Sequence, residues 1–160
     1  MPSLSSEIFI KFPNDIKGET SQVGHEDEVP ANNVQWSVKR SAELSSGSRQ
    51  TGRATFGDLV ITKELDSSSN DLAKACFLAS ALDEVVITFR KDAGDASLDY
   101  LVYTLGDCLI SGYSVLAQDG RPVETVTVSY IKFKSTYKKQ ANDHSSASEH
   151  EFEFDLRGRT

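Results

Sequence analysis

Apolar and polar residues alternate along much of this 160-residue chain. Three segments place an apolar side chain at every second position: Ile8, Ile10 and Phe12; Val34, Trp36 and Val38; and Phe152, Phe154 and Leu156. Because successive side chains of a β-strand point to opposite faces, this period predicts strands with one buried face and one polar face. Such half-buried strands favour antiparallel sheets.

Residues 85–89 and 101–105 are apolar on both faces, which predicts strands that are central or covered on their outer side. Residues 92–95 lie between them, and Gly94 supplies a turn, so these strands should form a hairpin. A second hairpin is predicted at Asp119-Gly120, between strands near 107–117 and 123–137.

The apolar phase slips within the last of these strands. Val126, Val128 and Tyr130 share one parity, whereas Ile131 and Phe133 take the other. A β-bulge near Tyr130 or Ile131 would return the apolar residues to one face and bend the strand. Bent strands close a sheet into a barrel, or let one strand serve two sheets.

One helix is predicted, at about residues 69–81. Ser68 and Asp71 have the spacing of a capping box, with Ser68 as the N-cap. The apolar positions that follow keep helical spacing: Leu72, Ala75, Cys76 and Ala79. Residues 40–53 and 138–148 are polar and rich in serine, and we expect both to be irregular loops. The chain is thus predicted to be a single, mainly β domain over residues 1–160.

Charge and composition narrow the function classes. The formal net charge of -7 repels phosphate backbones, so we expect no nucleic-acid partner. No apolar run approaches the roughly 20 residues of a membrane helix, so we expect no membrane insertion. The N-terminus has neither a basic flank nor a long apolar stretch, which argues against a signal peptide.

Candidate reactive residues are few. His144 and His150 flank a serine-rich loop without zinc-site spacing, and we expect solvated histidines. Residues 25–28, His-Glu-Asp-Glu, offer oxygens to a divalent cation but lack a glycine-punctuated calcium loop, so a solvated acidic turn is expected. Cys76 should be a small buried apolar residue on the helix.

No nucleophile elbow, dinucleotide fingerprint or phosphate loop occurs, so we expect a protein that is not an enzyme and binds no metal or cofactor. A hydrolase that uses Cys76, Cys108 or a histidine remains an alternative. It would need a thiolate and a base brought together by the fold.

The order of several short segments resembles the haemolysin-coregulated protein (Hcp) family, the inner-tube subunit of the bacterial type VI secretion system. The resemblance covers about residues 7–157. The segments that carry it are Ile8–Lys11, Ile16–Ser21, His25–Glu28, Trp36-Ser37, Leu59–Ser69, Tyr100-Leu101, Thr104-Leu105, Leu109–Tyr113 and Arg121–Val126.

The resemblance implies a small antiparallel β-barrel of two sheets with one flanking α-helix. It also implies hexameric rings that stack head to tail into a tube. The implied partners are a contractile sheath, a spike, and small effector proteins carried in the lumen. The protein would be cytoplasmic before assembly and then extracellular, without a signal peptide.

Residues 40–53 match the family's long loop, which contacts the neighbouring ring. The residues expected to form this ring-stacking contact are Arg40, Ser45, Ser46, Gly47, Ser48, Arg49, Gln50, Gly52 and Arg53. Two alternatives stay open: a monomeric β-barrel that binds a small ligand inside, and a tube subunit of another contractile, phage-tail-like particle.

Overall fold

A computed structural model describes residues 6–93, 96–139 and 148–158. These residues form eleven strands, one α-helix and a short C-terminal 3-10 helix, Leu156–Gly158. In chain order the elements are β1 (Glu7–Lys11), β2 (Val29–Ala31), β3 (Asn33–Gln35), β4 (Val38–Ser45), β5 (Ser48–Phe56), β6 (Leu59–Glu64), α1 (Ser69–Phe77), β7 (Ala81–Ala93), β8 (Ala96–Leu116), β9 (Val123–Ser129), β10 (Lys132–Lys139) and β11 (Ser148–Asp155).

Nine of the strands form one antiparallel sheet, and the other two form a separate hairpin. The large sheet runs β2-β1-β7-β8-β9-β6-β3, with β10 added beside β8 and β11 beside β10. The second sheet is β4 paired with β5. The predicted mainly β fold with two sheets and one helix is confirmed, although the large sheet does not close into a complete barrel.

The two ends of the large sheet are joined by one extended segment. β2 pairs with β1, and β3 pairs with β6 at the far end of the strand path. Between β2 and β3, the Asn32 N–H donates to the Thr62 carbonyl at 2.8 Å. The sheet therefore curls around its core. Its two end strands, β2 and β3, do not pair with each other.

Strand β8 is a single strand of 21 residues. Its residues 101–106 pair with β10, and its residues 109–116 pair with β9. The prediction of separate strands at 101–105 and near 107–117 is therefore wrong, because Gly106 pairs with both Glu84 and Lys132 and the strand continues past it. The predicted hairpin at Asp119-Gly120 is confirmed between β8 and β9.

The apolar phase slip at Tyr130 marks a break rather than a bulge. β9 ends at Ser129 and β10 begins at Lys132, and the two strands pair with different parts of β8. The Ile131 N–H donates to the Gly106 carbonyl at 3.0 Å across this break. The predicted change of direction is present, but the chain achieves it by interrupting the strand.

Helix α1 begins where predicted, with Ser68 at the N-cap position, but it is shorter than predicted. It ends at Phe77 because Ala79 adopts φ 52°, and the Ser80 N–H closes back onto the Ala75 carbonyl at 3.0 Å. The Ser68 hydroxyl donates to the Asp66 carboxylate and caps no helical N–H. The predicted capping-box hydrogen bond is therefore absent, although Ser68 occupies the predicted N-cap position.

Apolar side chains from the sheet and from α1 fill the interior. Leu72 and Ala75 of the helix are buried against side chains of the large sheet. The fully buried sheet residues include Ile10, Leu59, Ile61, Val85, Ile87, Leu105, Val126 and Val128. The predicted strand faces at residues 8–12 and 85–89 are thus turned toward this core.

The two predicted loops have different outcomes. Residues 40–53 are not irregular, because they belong to the β4–β5 hairpin. The predicted loop at 138–148 falls mostly on residues 140–147, which lie outside the described residues, as do Gly94 and Asp95 of the first predicted turn.

Candidate interaction surface

A two-residue turn joins β4 and β5. Ser45 pairs with Ser48, and the turn residues Ser46 and Gly47 have φ values of 51° and 79°. Positive φ at both central positions matches the right-handed twist of the flanking strands, and glycine adopts it without strain. This local chemistry explains why a polar segment forms an ordered hairpin.

The hairpin has an irregularity near its middle. The strand register shifts between Arg40 and Ala42, so that Gly52 and Arg53 of β5 lie opposite the single residue Ser41 of β4. A Cβ atom at Gly52 would lie 2.1 Å from the Ser41 hydroxyl oxygen, so a side chain at this position would require the hydroxyl to move. The Arg40 guanidinium donates to the Gly52 carbonyl at 2.8 Å and ties the two strands together there.

The base of the hairpin is anchored to the aromatic part of the core. Phe56 stacks on Phe154 of β11 with 4.5 Å between ring centroids, and Phe154 stacks on Phe133 at 5.3 Å. Just before the hairpin, Trp36 packs on Phe133 at 4.6 Å. The Gly57 N–H donates to the Ser37 carbonyl at 2.9 Å and closes the base.

Beyond this base the hairpin is exposed and carries net positive charge. All residues of β4 are exposed, as are most of those of β5. Its charged residues are Lys39, Arg40, Glu43, Arg49 and Arg53, a net charge of +3. Because the whole chain carries -7, the remaining residues carry -10. A basic projection therefore stands on an acidic molecule.

The structure gathers all the predicted ring-stacking residues on this projection. Arg40 and Ser45 lie on β4, Ser46 and Gly47 form the turn, and Ser48, Arg49, Gln50, Gly52 and Arg53 lie on β5. Their contact with another ring stays a prediction.

The expected solvated turn at residues 25–28 is wrong for two of its side chains. His25 is only 7% exposed, and Glu28 is also buried. The imidazole stacks on Phe9 of β1 at 4.6 Å and contacts two carboxylates, those of Glu28 and Asp99. Of the other histidines, His150 is exposed on β11, and His144 lies outside the described residues.

A buried ion pair lies between β6 and β9. The Lys63 ammonium is 2.7 Å from the Glu124 carboxylate, and both side chains are 0% exposed. Lys63 also contacts Asp66 at 3.1 Å, and the Ser69 hydroxyl at the start of α1 donates to Glu124. Leu59, Ile61 and Lys63 lie on the same face of β6, and this face is buried. The position of Lys63 in this alternation was therefore the sequence signal that could have predicted its burial.

The cysteines do not form a reactive pair with a histidine in the described part of the chain. Burial raises the pKa of the Cys108 thiol to about 12, so the thiol keeps its proton at neutral pH. Cys76 is half-buried on α1 rather than fully buried as predicted. No group of His, Cys, Asp and Glu among the described residues is arranged to hold a metal ion.

No helix among the described residues is long and apolar enough to cross a bilayer.

Comparison with known proteins agrees with this architecture. Residues 9–137 match the family model described as "Type VI secretion system effector, Hcp". The chain is 29% identical to Protein hcp1 of Pseudomonas aeruginosa over 145 residues, which is 88% of each protein.

Two solved structures share the fold. The structure of a type six secretion system protein superimposes with a TM-score of 0.87 at 20% identity, covering 98% of this chain and 99% of that one. Hcp1 from Salmonella typhimurium gives a TM-score of 0.77 at 23% identity, with the same coverage. The chain belongs to the Hcp family, the secreted tube proteins of the type VI secretion system.

Proposed function

We propose that copies of this chain close into hexameric rings and that these rings stack head to tail as the inner tube of a type VI secretion system. A contractile sheath would expel the tube behind a spike. The observation that carries this proposal is the match to the Hcp family over residues 9–137. The protein would be cytoplasmic before assembly and extracellular after expulsion.

An open strand edge supports the ring. Among the described strands, β11 pairs only with β10, so its outer edge has no second strand. Phe152 on this strand is half-exposed. An exposed edge with an apolar side chain invites association with further copies, and closure into a ring ends that growth within the plane.

The β4–β5 hairpin supports the stacking of rings. It extends from an aromatic base, is exposed, and carries +3 on a chain whose other residues are strongly acidic. Head-to-tail contacts use two different surfaces, so a basic projection can meet an acidic face on the next ring. Each exposed ion pair contributes little, and a symmetric ring repeats the contact in every subunit.

A closed ring has a lumen, and we propose that it carries small effector proteins. This part of the proposal rests on the family resemblance. The alternating polar faces of the strands provide the kind of surface that would line such a channel.

Native mass spectrometry with negative-stain microscopy tests the ring. We expect a hexameric species and annular particles. A protein that stays monomeric at high concentration contradicts the proposal.

The alternative is a monomeric barrel that binds a small ligand, and native mass spectrometry distinguishes it from a ring. A cavity of about 520 Å³ beside β10 and β11 is lined by charged and aromatic side chains, among them Glu84, Lys132 and Phe154. That alternative requires a monomer with a bound small molecule.

A further inference from the structure

Residues 18–28 form a compact segment, here called the strap, that packs against β1, β7 and β8. The Gly18 N–H donates to the Asp27 carbonyl at 2.9 Å, and the Asp27 N–H donates to the Thr20 carbonyl at 3.0 Å. A Cβ at Gly18 would lie 2.4 Å from the Glu28 carbonyl oxygen, so the two ends of the strap are in close contact. The strap is therefore a compact unit closed by its own backbone contacts.

His25 attaches this unit to the sheet. Its Nδ1 lies 2.5 Å from the Glu28 carboxylate within the strap, and its Nε2 lies 3.0 Å from the Asp99 carboxylate on β8. The ring is stacked on Phe9 of β1, with an interplanar angle of 7°. One side chain thus connects the strap to two strands of the sheet.

The two carboxylate contacts of His25 need one proton more than a neutral imidazole and two ionised carboxylates contain. A neutral imidazole has one N–H, so its other nitrogen would present a lone pair to a carboxylate oxygen. Both contacts are attractive only when the imidazole is doubly protonated or when one carboxyl is protonated. The three groups together therefore hold one extra proton as long as both contacts persist.

Other charged groups around the ring favour this arrangement. Arg90 of β7 donates to Asp99 at 2.9 Å and to the Val23 carbonyl of the strap at 3.3 Å. Partial burial opposes ionisation of Asp99, but the hydrogen bonds from Arg90 and His25 outweigh it and lower the pKa of this carboxyl. Asp99 is thus held as a carboxylate.

Glu26 is the remaining charged neighbour on the strap. Backbone N–H groups of Glu26 and Gly24 are the main cause of the lowered pKa of its carboxyl, and His25 adds to the effect. A third anionic group near the ring stabilises a cationic imidazole further.

We propose that His25, Glu28 and Asp99 form a proton-dependent latch, which holds the strap on β7 and β8 when protonated and releases it when the proton is lost. The latch is a property of the single subunit and does not depend on ring formation. Histidine is the side chain that exchanges its proton in the physiological range, so release is expected as the pH rises through neutrality.

The direction follows from proton counting. The attached strap binds one more proton than the detached strap at a pH where free histidine is neutral. An equilibrium linked to one proton shifts toward the less protonated state as pH rises, by up to about tenfold per pH unit. Attachment is therefore favoured at lower pH and weakens as the pH rises.

Hydrogen exchange followed by mass spectrometry tests the latch on the intact protein. After correction for the intrinsic exchange rate, protection of residues 18–28 is expected to fall about tenfold between about pH 6 and about pH 8.5. Peptides from β9 serve as an internal reference and should keep their protection. An unchanged protection of the strap over this range overturns the proposal.

Three variants separate the latch from general effects of pH. His25→Gln should remove the pH dependence of strap protection. Glu28→Gln should reduce it, because an amide can donate to the lone pair of a neutral imidazole as well as accept from its N–H. His150→Gln removes an exposed histidine of β11 and is the matched control, which should keep the full dependence.

The pH dependence of strap protection in these variants either supports the latch or contradicts it. If His25→Gln fails to fold, the comparison of Glu28→Gln with the unaltered protein still decides. A full pH dependence in Glu28→Gln, or its loss in His150→Gln, overturns the latch.

Discussion

At the scale of the residue, the charged side chains most fully removed from water in the described chain are Lys63 and Glu124. Each is 0% exposed, and they face each other directly in the β6–β9 register. Transfer of two charges from water is costly, and their attraction offsets the cost only when the remaining polar atoms are also satisfied. Asp66, Ser69 and the Glu64 carbonyl provide those contacts for Lys63. The pair is therefore intolerant of losing one partner.

The substitution Lys63→Met tests this dependence. It leaves the buried Glu124 without its cation, so we expect the free energy of unfolding to fall by roughly 3–5 kcal/mol. Urea denaturation at a fixed protein concentration measures the change.

The matched control is Lys134→Met, which breaks the half-exposed pair between Lys134 and Glu151. Exposed ion pairs contribute little, so its cost should stay within about 1 kcal/mol. Equal losses for the two variants would contradict the importance of burial.

At the scale of the element, the β4–β5 hairpin is a separate unit within the described chain. Its strands pair only with each other, and its side chains are mostly exposed apart from those at the base, where Phe56 packs. Its order depends on its turn, its cross-strand hydrogen bonds and its aromatic base rather than on the main core. The hairpin should therefore open locally without unfolding the large sheet.

The substitution Gly47→Ala tests this independence. Gly47 has φ 79°, where a side chain costs on the order of 1 kcal/mol. We expect faster hydrogen exchange at residues 40–53 and an unchanged melting temperature of the large sheet.

Gly158→Ala is the control for a glycine replaced without this strain, because its Cβ would have open space and its φ is not positive. It should leave hairpin exchange unaltered. A large drop in melting temperature for Gly47→Ala alone would show that the hairpin supports the whole fold.

At the scale of the whole molecule, charge is divided between the hairpin and the rest of the chain. The +3 of residues 38–56 stands against -10 elsewhere. Like-charged subunits repel one another in general, whereas an oriented contact between a basic hairpin and an acidic face is attractive. This division would make the assembly of rings directional and sensitive to salt.

The double substitution Arg49→Glu with Arg53→Glu tests the role of the hairpin in stacking. We expect the subunit to stay folded and the ring to stay intact, while tubes shorten or disappear in sedimentation and electron microscopy. The unaltered protein should likewise lose tubes as salt rises from about 0.1 M to about 1 M, where the screening length falls from about 10 Å to about 3 Å.

Lys11→Glu with Lys74→Glu makes the same change in charge on exposed positions of β1 and α1. This control should leave tube length unaltered. If the arginine variant forms tubes as well as the control does, the hairpin does not form the stacking contact.

The sequence by itself determined the features that depend on neighbouring residues. Alternation at Ile8 to Phe12, helical spacing after Ser68 and the turn at Asp119-Gly120 each act over a few positions, so the strand faces, the helix and the β8–β9 hairpin were predictable. The ordered segments also indicated the family. By contrast, residues 40–53 of the β4–β5 hairpin were predicted as a loop because these polar strands lack a buried face.

Only the tertiary structure decided which distant residues meet. Lys63 and Glu124 are 61 positions apart, and His25 and Asp99 are 74 apart. Their burial depends on the register of β6 with β9 and on the packing of the strap against β8. Cross-strand register is fixed by the combined packing of the whole sheet, and therefore no local pattern encodes these contacts.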